Sequence, residues 1–445
     1  MSLMALNSGA KQSHASWFGQ PSGLTILFLT EMWEKFSFFG MRALLVYYMV
    51  KHLGIEQNQS SLIYGYYTAF VYFTPIFGGV ISDRWLGRKR AIVIGGLIMA
   101  AGHFMMTFDS MFYAALIAIG LGNGLFLPNL PSQIDSLYER SDPRRGSAYN
   151  IYYVGINLGA FLAPLVCGTL GEVYGWHYGF GAAGVGMCLG LVIYCMGNSH
   201  LPPDDQLQKN APEEAKDSAQ SDIAMSSKTL LVLCAVFLSV VVFRSAYEQT
   251  GNTIALWADA NVNRLALGLT IPGSWFQSLN PLLVFLLTPI LVARWNSAAS
   301  KGREVSSLHK MAIGALGVAI SFALLAWVSL ASETSGENAH WLWLAVFFLL
   351  LTVSELYILP VGLGLFARLA PRRFGATTIA AWFFAAFAGN LLAGYLGSFW
   401  SVVEHPLFFL STAAVAAASA LMLWSIDGQV RPIENHALKN QLSHK

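Results

Sequence analysis

Seven ionisable side chains lie inside stretches of the sequence that are otherwise apolar enough to span a membrane. A charge at the centre of a bilayer costs about 2.5–3.5 kcal/mol on insertion scales, so seven unpaired charges would cost roughly 20 kcal/mol. That exceeds the usual net stability of a fold, about 5–15 kcal/mol. The charges must therefore pair with one another or line a wet cavity, and a membrane protein with such an interior is most simply a transporter. The seven are Glu31, Glu34, Lys35, Arg42, Arg244, Glu248 and Glu355.

The densest group of these charges follows one face of the first apolar stretch. Glu31, Glu34, Lys35 and Arg42 are spaced i, i+3, i+4 and i+11, which places them on one stripe of an α-helix. Two carboxylates beside two cations in a desolvated stripe can take up or release a proton as their access to water changes. The alternative is an ion network that only joins helices, which would be a costly way to hold a bundle together. The stripe therefore favours proton coupling.

Composition places the chain among membrane proteins and excludes several functions. The 445 residues are 55% hydrophobic and 11% charged, whereas soluble domains carry about 25% charged residues. A net charge of +2 gives no reason to expect a nucleic-acid partner. Four cysteines in apolar stretches, without CxxC spacing, favour packed thiols over disulfides or a zinc site. The motifs of nucleotide hydrolysis, zinc peptidase and serine hydrolase chemistry are absent from the sequence, so we expect no enzyme activity, nucleotide, cofactor or metal.

Hydropathy predicts twelve membrane-spanning helices with both termini in the cytoplasm. About 20 apolar residues cross a bilayer as a helix. Of 26 Lys and Arg residues, three lie inside the predicted spans, and 21 of the remaining 23 fall on the side of the termini. The positive-inside rule supports this count and orientation. The predicted spans are 24–50, 60–82, 91–108, 112–134, 146–168, 178–196, 229–257, 273–293, 311–331, 340–366, 375–399 and 406–425.

The predicted fold class is an all-α polytopic membrane protein with two six-helix bundles. A cytoplasmic N-terminal tail (1–23) precedes the first bundle (24–196). A polar and disordered cytoplasmic linker (197–228) leads to the second bundle (229–425) and a cytoplasmic C-terminal tail (426–445). Residues 1–23 do not have the pattern of a cleavable signal peptide. We expect a multi-pass protein of the cell inner membrane whose halves rock around a central site, as in the major facilitator fold.

Two sets of motifs carry a family resemblance. The loop 79–90 reads GVISDRWLGRKR and resembles the GxxxDRxGRR signature of the major facilitator superfamily, in which Asp83 and Arg84 would form a conformational gate. The first span resembles the ExxERFxYYGMRALL motif of the proton-dependent oligopeptide transporter family. Further matches to that family lie at Tyr152–Gly159, Tyr247–Gln249, Ser274–Pro281, Ser354–Leu356 with Pro360, and Trp382–Phe383 with Gly389–Asn390.

This resemblance implies roles for the charged and polar residues. It implies proton coupling by Glu31, Glu34 and Lys35, with Arg42 meeting the carboxylate of a peptide and Glu355 its amino terminus. Tyr72, Asn157 and Asn280 would hold the peptide backbone, and Trp382 would line a side-chain pocket. A zwitterionic peptide needs a cation, an anion and amide-type partners, so the chemistry of these residues is consistent with the resemblance. The implied partners are a small peptide, protons and the lipid bilayer.

Departures from the family pattern leave the substrate open. The family carries a lysine where Leu127 stands, tyrosines at Phe38 and Phe39, and a serine at Leu359. These apolar replacements favour the alternative that the same fold carries a peptide-like molecule, a modified amino acid or an organic anion, with altered or no proton coupling. A third alternative for the function is a membrane sensor or enzyme, but the sequence contains no signalling domain or catalytic motif that would favour it.

Arg244 is a further departure, because the family tends to have an aromatic residue there. Arg244 and Glu248 are spaced i, i+4 and can pair directly on a helix. We predict that Arg244 replaces the missing lysine and exchanges between Glu248 and the acids of the first span, so that both residues take part in proton coupling. The alternative is a static pair within one helix.

Overall fold

The structure is a computed structural model that describes residues 19–138, 142–202, 227–266, 268–303, 305–369 and 375–442. These residues are largely helical, because a chain in lipid must satisfy its backbone hydrogen bonds internally. Fourteen α-helices occur in the described part. They are α1 (Ser22–Tyr47), α2 (Gln57–Ile81), α3 (Arg88–Met105), α4 (Phe112–Phe126), α5 (Asn129–Asp135), α6 (Arg145–Ala163), α7 (Trp176–Met196), α8 (Ser227–Tyr247), α9 (Thr253–Asn261), α10 (Leu279–Ser300), α11 (Ser307–Ser335), α12 (Leu342–Leu369), α13 (Gly375–Gly397) and α14 (His405–Leu442).

Eight described segments are long and apolar enough to cross a membrane. One of them contains both α4 and α5, and another contains both α8 and α9, so two predicted spans are each built from two helices. The predicted total of twelve spans stays a prediction for the remaining helices. The eight segments are Asp109–Asp135, Arg145–Tyr174, Trp176–His200, Thr229–Asn261, Gly273–Ser300, Ser307–Ser335, Leu342–Phe366 and His405–Gly428.

Helix contacts divide the molecule into two halves. In the first half, α1 packs against α6 and α7, while α4 packs against α2 and α3. In the second half, α11 packs against α12 and α14, while α8 packs against α13 and α14. The largest buried apolar cluster is drawn from the second half, and the next two are drawn from the first. The limits 24–196 and 229–425 stay predictions, and most of the predicted linker, 203–226, lies outside the described residues.

The bundle has two ends, which we name by their loops. The terminal face holds the start of α1 and the loop between α2 and α3, where Lys89 donates to Asn198 at 2.7 Å. The distal face holds the loops 53–56, 106–111, 262–266 with 268–272, and 336–341. Two short strand pairs lie at the distal face: Val262–Asn263 with Ala339–His340, and Leu265–Ala266 with Leu269–Thr270.

The most extensive contacts between helices of the two halves are those of α2 with α13 and of α6 with α10. The closest approach in the first pair is between two glycines, because a Cβ atom on Gly65 would lie 2.4 Å from the Cα atom of Gly394. Small residues of this kind let membrane helices cross at short range. The backbones of α2 and α13 therefore approach each other closely at this boundary.

The last helix is longer than the sequence predicts. The predicted span ends at 425 and is followed by a tail, whereas α14 continues to Leu442. A hydropathy window detects only the apolar part of a helix, so it ends where the helix leaves the membrane. Just beyond that point Ser306, at the start of α11, donates a hydrogen bond to Asp427.

Candidate functional site

Three charged side chains of α1 form one compact cluster. Nζ of Lys35 lies 3.3 Å from Oε1 of Glu31 and 2.5 Å from Oε2 of Glu34. Glu31 and Glu34 are 1% and 0% exposed. The stripe predicted from the sequence thus brings a cation to its own two acids, and the cluster has one carboxylate more than it has cations.

Two tyrosines of other helices lie beside this cluster. The phenol of Tyr152 on α6 lies beside Glu31 and Glu34, and that of Tyr67 on α2 lies near Glu34. Oε1 of Glu34 is buried and has no hydrogen-bond partner among the described residues. A buried carboxylate oxygen without a donor is a costly place for a negative charge. Glu34 is therefore suited to hold a proton.

Arg42, two helical turns further along α1 than Lys35, reaches across to the second half. Its Nη1 lies 3.2 Å from Oε2 of Glu248, to which the hydroxyl of Tyr64 also donates at 3.3 Å. Glu248 is 0% exposed and Arg42 is 7% exposed. Loss of one partner of a buried ion pair is strongly destabilising. A conformational change that separates the halves must break this pair or compensate it.

Arg244 contacts the same glutamate less closely than its spacing predicts. Its Nη1 lies 3.7 Å from Oε1 of Glu248, which is an ion pair but not a hydrogen bond. Its guanidinium lies over the rings of Tyr72, at 5.2 Å, and Tyr247, at 5.9 Å. Arg42 contacts the same glutamate more closely, at 3.2 Å, so Glu248 lies between two cations. Exchange of Arg244 between Glu248 and the acids of α1 stays a prediction, as does the alternative of a static pair.

Glu355 is held by a chain of polar contacts within the second half. Nδ2 of Asn280 donates to Oε2 of Glu355 at 2.7 Å and to Oγ1 of Thr352 at 3.1 Å. The hydroxyl of Tyr247 donates to Oδ1 of Asn280 at 3.0 Å. These contacts join α8, α10 and α12, and Arg244 lies within electrostatic reach of the same carboxylate. The carboxylate of Glu355 and the guanidinium of Arg244 are therefore held near each other without a direct ion pair.

A tyrosine of the first half lies beside this group. The ring of Tyr153 on α6 is 47% exposed, yet it lies near Glu355 and Arg244 of the other half. Asn157, one turn along α6, donates to the backbone oxygen of Tyr153 at 2.9 Å. Two residues of the predicted substrate site, Asn157 and Glu355, are thus brought to the same region from opposite halves.

Trp382 packs against apolar neighbours of the second half. Its ring meets that of Phe366 edge to face at 5.9 Å, and a Cβ atom on Gly362 would lie 3.2 Å from it. These residues belong to α12 and α13, toward the terminal face. An aromatic wall of this kind can pack against an apolar side chain of a ligand.

The predicted gate lies in the loop between α2 and α3. Oδ1 of Asp83 lies 3.7 Å from Nε of Arg88, and Arg84 is exposed. Gly87 has φ of 74°, a left-handed conformation that favours glycine and turns the chain into α3. Ser82 donates to Oδ1 of Asn129 at 2.5 Å, which fixes the loop to α5. The basic partner of Asp83 thus belongs to the same half of the molecule.

The halves are fastened together at the distal face. Lys51 forms a 2.5 Å ion pair with Asp259 of the second half. The carboxylate of Glu172 accepts hydrogen bonds from the backbone N–H groups of Gly273, at 2.9 Å, and Ser274, at 2.8 Å. Toward the terminal face the halves are joined by weaker contacts, such as that of the rings of Phe73 and Phe387 at 5.2 Å. The structure is closed at the distal face.

Sequence reasoning missed several of these residues. Glu172 was outside the predicted span 146–168, but the segments Pro164–Gly168 and Leu170–Tyr174 continue α6 as π-helix and carry it to the distal closure. Glu172 lies about one helical turn beyond the end of the predicted span, and an acidic residue at that position could have been identified as a candidate from the sequence. Tyr64 gave no such signal, because one tyrosine in an aromatic-rich span is not distinctive.

Comparison with known proteins gives one consistent result. Residues 89–220 and 207–413 match the sequence model of the POT family. The chain is 31% identical to the peptide transporter YePEPT of Yersinia enterocolitica, over 92% of this chain and 93% of the relative. It is 30% identical to a di-/tripeptide transporter of Lactococcus lactis subsp. cremoris, over 93% and 96% of the two chains. It also resembles a crystal structure of a mutant of peptide transporter POT in complex with alafosfalin, with a TM-score of 0.85 and 30% identity, over 94% of this chain and 96% of that one. The chain therefore belongs to the POT family of proton-dependent oligopeptide transporters, with the major facilitator fold, and is a multi-pass membrane transporter rather than an enzyme.

Proposed function

We propose that this chain imports di- and tripeptides together with protons by alternating access. The observation that carries the proposal is the group of charges at the boundary between the halves: Arg42 of the first half pairs with Glu248 of the second, and Arg244 and Glu355 lie beside this pair. A zwitterionic peptide presents the complementary charges at its two ends. The names of the relatives, a peptide transporter and a di-/tripeptide transporter, support the same substrate class.

The roles proposed for the substrate residues follow their chemistry. Arg42 meets the carboxylate of the peptide, which competes with Glu248 for the guanidinium. Glu355 meets the amino terminus, oriented for it by Asn280. Tyr72 and Asn157 bind the peptide backbone. A ligand that bridges Arg42 and Glu355 pulls the halves together, which is the step that alternating access requires.

Trp382 and the loop residues have separate proposed roles. Trp382 lines a pocket for one side chain of the peptide, with Phe366 behind it. Asp83 and Arg84 act as a gate at the terminal face, where Asp83 exchanges partners as the halves move. The present partner of Asp83, Arg88, is loosely held at 3.7 Å.

Proton coupling is assigned to the cluster of α1. Glu34 takes the proton when water reaches it, and Lys35 then remains paired with Glu31. The free Oε1 atom of Glu34 and the excess of one acid over the cation support this assignment. The energy is adequate, because a proton moving down 100 mV gains about 2.3 kcal/mol.

Arg244 is assigned as a mobile second cation of the site, which replaces the lysine that the family carries at Leu127. Its loose 3.7 Å contact with Glu248 supports this assignment. Because Arg42 keeps Glu248 paired, Arg244→Leu should leave the protein folded and counterflow intact. We expect pH-driven accumulation in proteoliposomes to be lost and Arg244→Lys to restore part of it. Normal pH-driven accumulation by Arg244→Leu would instead support the alternative that Arg244 and Glu248 form a static pair within one helix.

The chain is placed in the cell inner membrane. In the proposed orientation its terminal face is on the cytoplasmic side. The support is the excess of Lys and Arg residues on that side of the predicted spans. In this orientation the structure is the inward-facing state, closed to the outside at Lys51 and Asp259. The domain limits 1–23, 24–196, 197–228, 229–425 and 426–445 are proposed with it.

The test of substrate class is competition for labelled dipeptide in a counterflow assay. A charge-assisted hydrogen bond contributes about 1.5–3 kcal/mol, or roughly 10–100-fold in affinity. We therefore expect the wild type to prefer a dipeptide over its N-acetylated form by that factor, and Glu355→Gln to lose most of this preference. Glu337→Gln, which changes an exposed acid at the distal face, is the matched control. Failure of any dipeptide to compete, with uptake of a modified amino acid or organic anion instead, would support the alternative substrate class that Leu127 and Leu359 favour.

A further inference from the structure

Three residues that are far apart in the sequence form a cluster of metal-binding side chains at the distal face. His52 ends the π-helical continuation of α1, Asp109 precedes α4, and His177 is the second residue of α7. Their ligand atoms all lie within 4.8 Å of one another. The sequence predicts no metal site, because none of these residues has a partner at a short spacing.

The distances in this cluster suit a small divalent ion. Nε2 of His52 lies 3.2 Å from both carboxylate oxygens of Asp109. Zinc binds nitrogen and oxygen ligands at about 2.0–2.2 Å in tetrahedral geometry, which puts neighbouring ligand atoms roughly 3.4 Å apart. The first two ligands already have this spacing. The rings of His52 and His177 are 5.7 Å apart and nearly perpendicular, and a ring nitrogen of His177 lies within 4.8 Å of the other two ligand atoms.

The cluster also has the supporting contacts that metal ligands need. The hydroxyl of Tyr48 donates to Oδ1 of Asp109 at 2.7 Å, which orients the carboxylate. Tyr48 is 0% exposed, and the ring of His52 stacks on it at 5.2 Å. Hydrogen bonds of this kind hold ligands in place and raise metal affinity. The three ligands are exposed, so water can complete the coordination.

We propose that His52, Asp109 and His177 bind one divalent transition-metal ion, of which Zn²⁺ is the best match, at the distal face of the first half. Two imidazoles and one carboxylate favour Zn²⁺ over Mg²⁺ or Ca²⁺, which prefer oxygen ligands. The ion ties together the distal ends of α1, α4 and α7. It lies next to Lys51, which closes the distal face on Asp259, so it braces the helix end on which this closure depends.

The test is metal binding by the full-length protein, purified without a histidine tag, stripped with a chelator and measured by calorimetry at neutral pH. We expect about one Zn²⁺ per chain, no comparable binding of Mg²⁺, and a higher melting temperature when zinc is bound. His177→Ala should weaken zinc binding by at least about tenfold, because loss of even an outer-shell partner of a ligand costs about 10–100-fold in metal affinity. His340→Asn, at another exposed histidine of the distal face, is the matched control and should bind as the wild type does.

The outcomes separate a site from adventitious binding. Zinc bound with equal affinity by the wild type, His177→Ala and His52→Ala would place the metal elsewhere, such as on the exposed Cys195 or Cys234, and would overturn the proposal. So would the absence of binding by the wild type. A metal-free His177→Ala protein that melts at the wild-type temperature shows that the lost affinity reflects the ligand and not the fold.

Discussion

Glu34→Gln is expected to abolish uphill, pH-driven uptake while exchange of labelled substrate continues. Glutamine keeps the shape of the side chain but cannot carry a proton. With one proton per substrate, 100 mV supplies about 2.3 kcal/mol and one pH unit about 1.36 kcal/mol. At about 1.4 kcal/mol per tenfold, this sustains a gradient of several hundred-fold for a neutral peptide. We expect the variant to accumulate substrate only to equality across a proteoliposome membrane.

Counterflow separates this effect from misfolding, because exchange needs no net movement of protons. Glu404→Gln, an exposed acid at the distal face, is the control and should accumulate substrate as the wild type does. If Glu34→Gln lost counterflow and uphill uptake equally, Glu34 would have a role in folding or binding. Intact uphill uptake would remove Glu34 from the coupling mechanism.

Glu248→Gln is expected to shift the protein strongly away from the distal-closed state. In that state Glu248 compensates Arg42 across the two halves, and both side chains are buried. Breaking a buried pair costs about 3–5 kcal/mol, and opening the distal face relieves this cost by letting water reach Arg42. At about 1.4 kcal/mol per tenfold, the equilibrium between closed and open forms can move by a factor of about 100 or more.

Pulsed electron paramagnetic resonance would measure this shift between spin labels at Gln59 and Glu404, which are exposed at the distal face in opposite halves. The matched control is Lys51→Gln, which breaks the pair with Asp259. The side chain of Lys51 is 43% exposed, and such a pair is worth about 0–1 kcal/mol, or less than roughly fivefold. Equal shifts for the two variants would show that the buried pair with Arg42 is not the main closure.

The sequence established the class of the protein because that class depends on local properties. Apolar runs of span length and a low content of charged residues require a membrane bundle, and the seven charges inside those runs require its interior to be wet or paired. The family motifs, which lie within single helices, predicted the POT family, and the comparisons confirm it. The stripe of Glu31, Glu34 and Lys35 was predictable for the same reason, since helical spacing alone brings these side chains together.

Contacts between helices depend on how the helices are placed, and only the tertiary structure decided them. Arg42 and Glu248 are 206 residues apart, so no spacing rule links them. The i, i+4 spacing pointed only to the pair of Arg244 with Glu248. The same is true of His52, Asp109 and His177, which come from three separate connections at the distal face. The sequence by itself determined which side chains had to be buried in a membrane bundle; the packing of the two halves decided which of them meet.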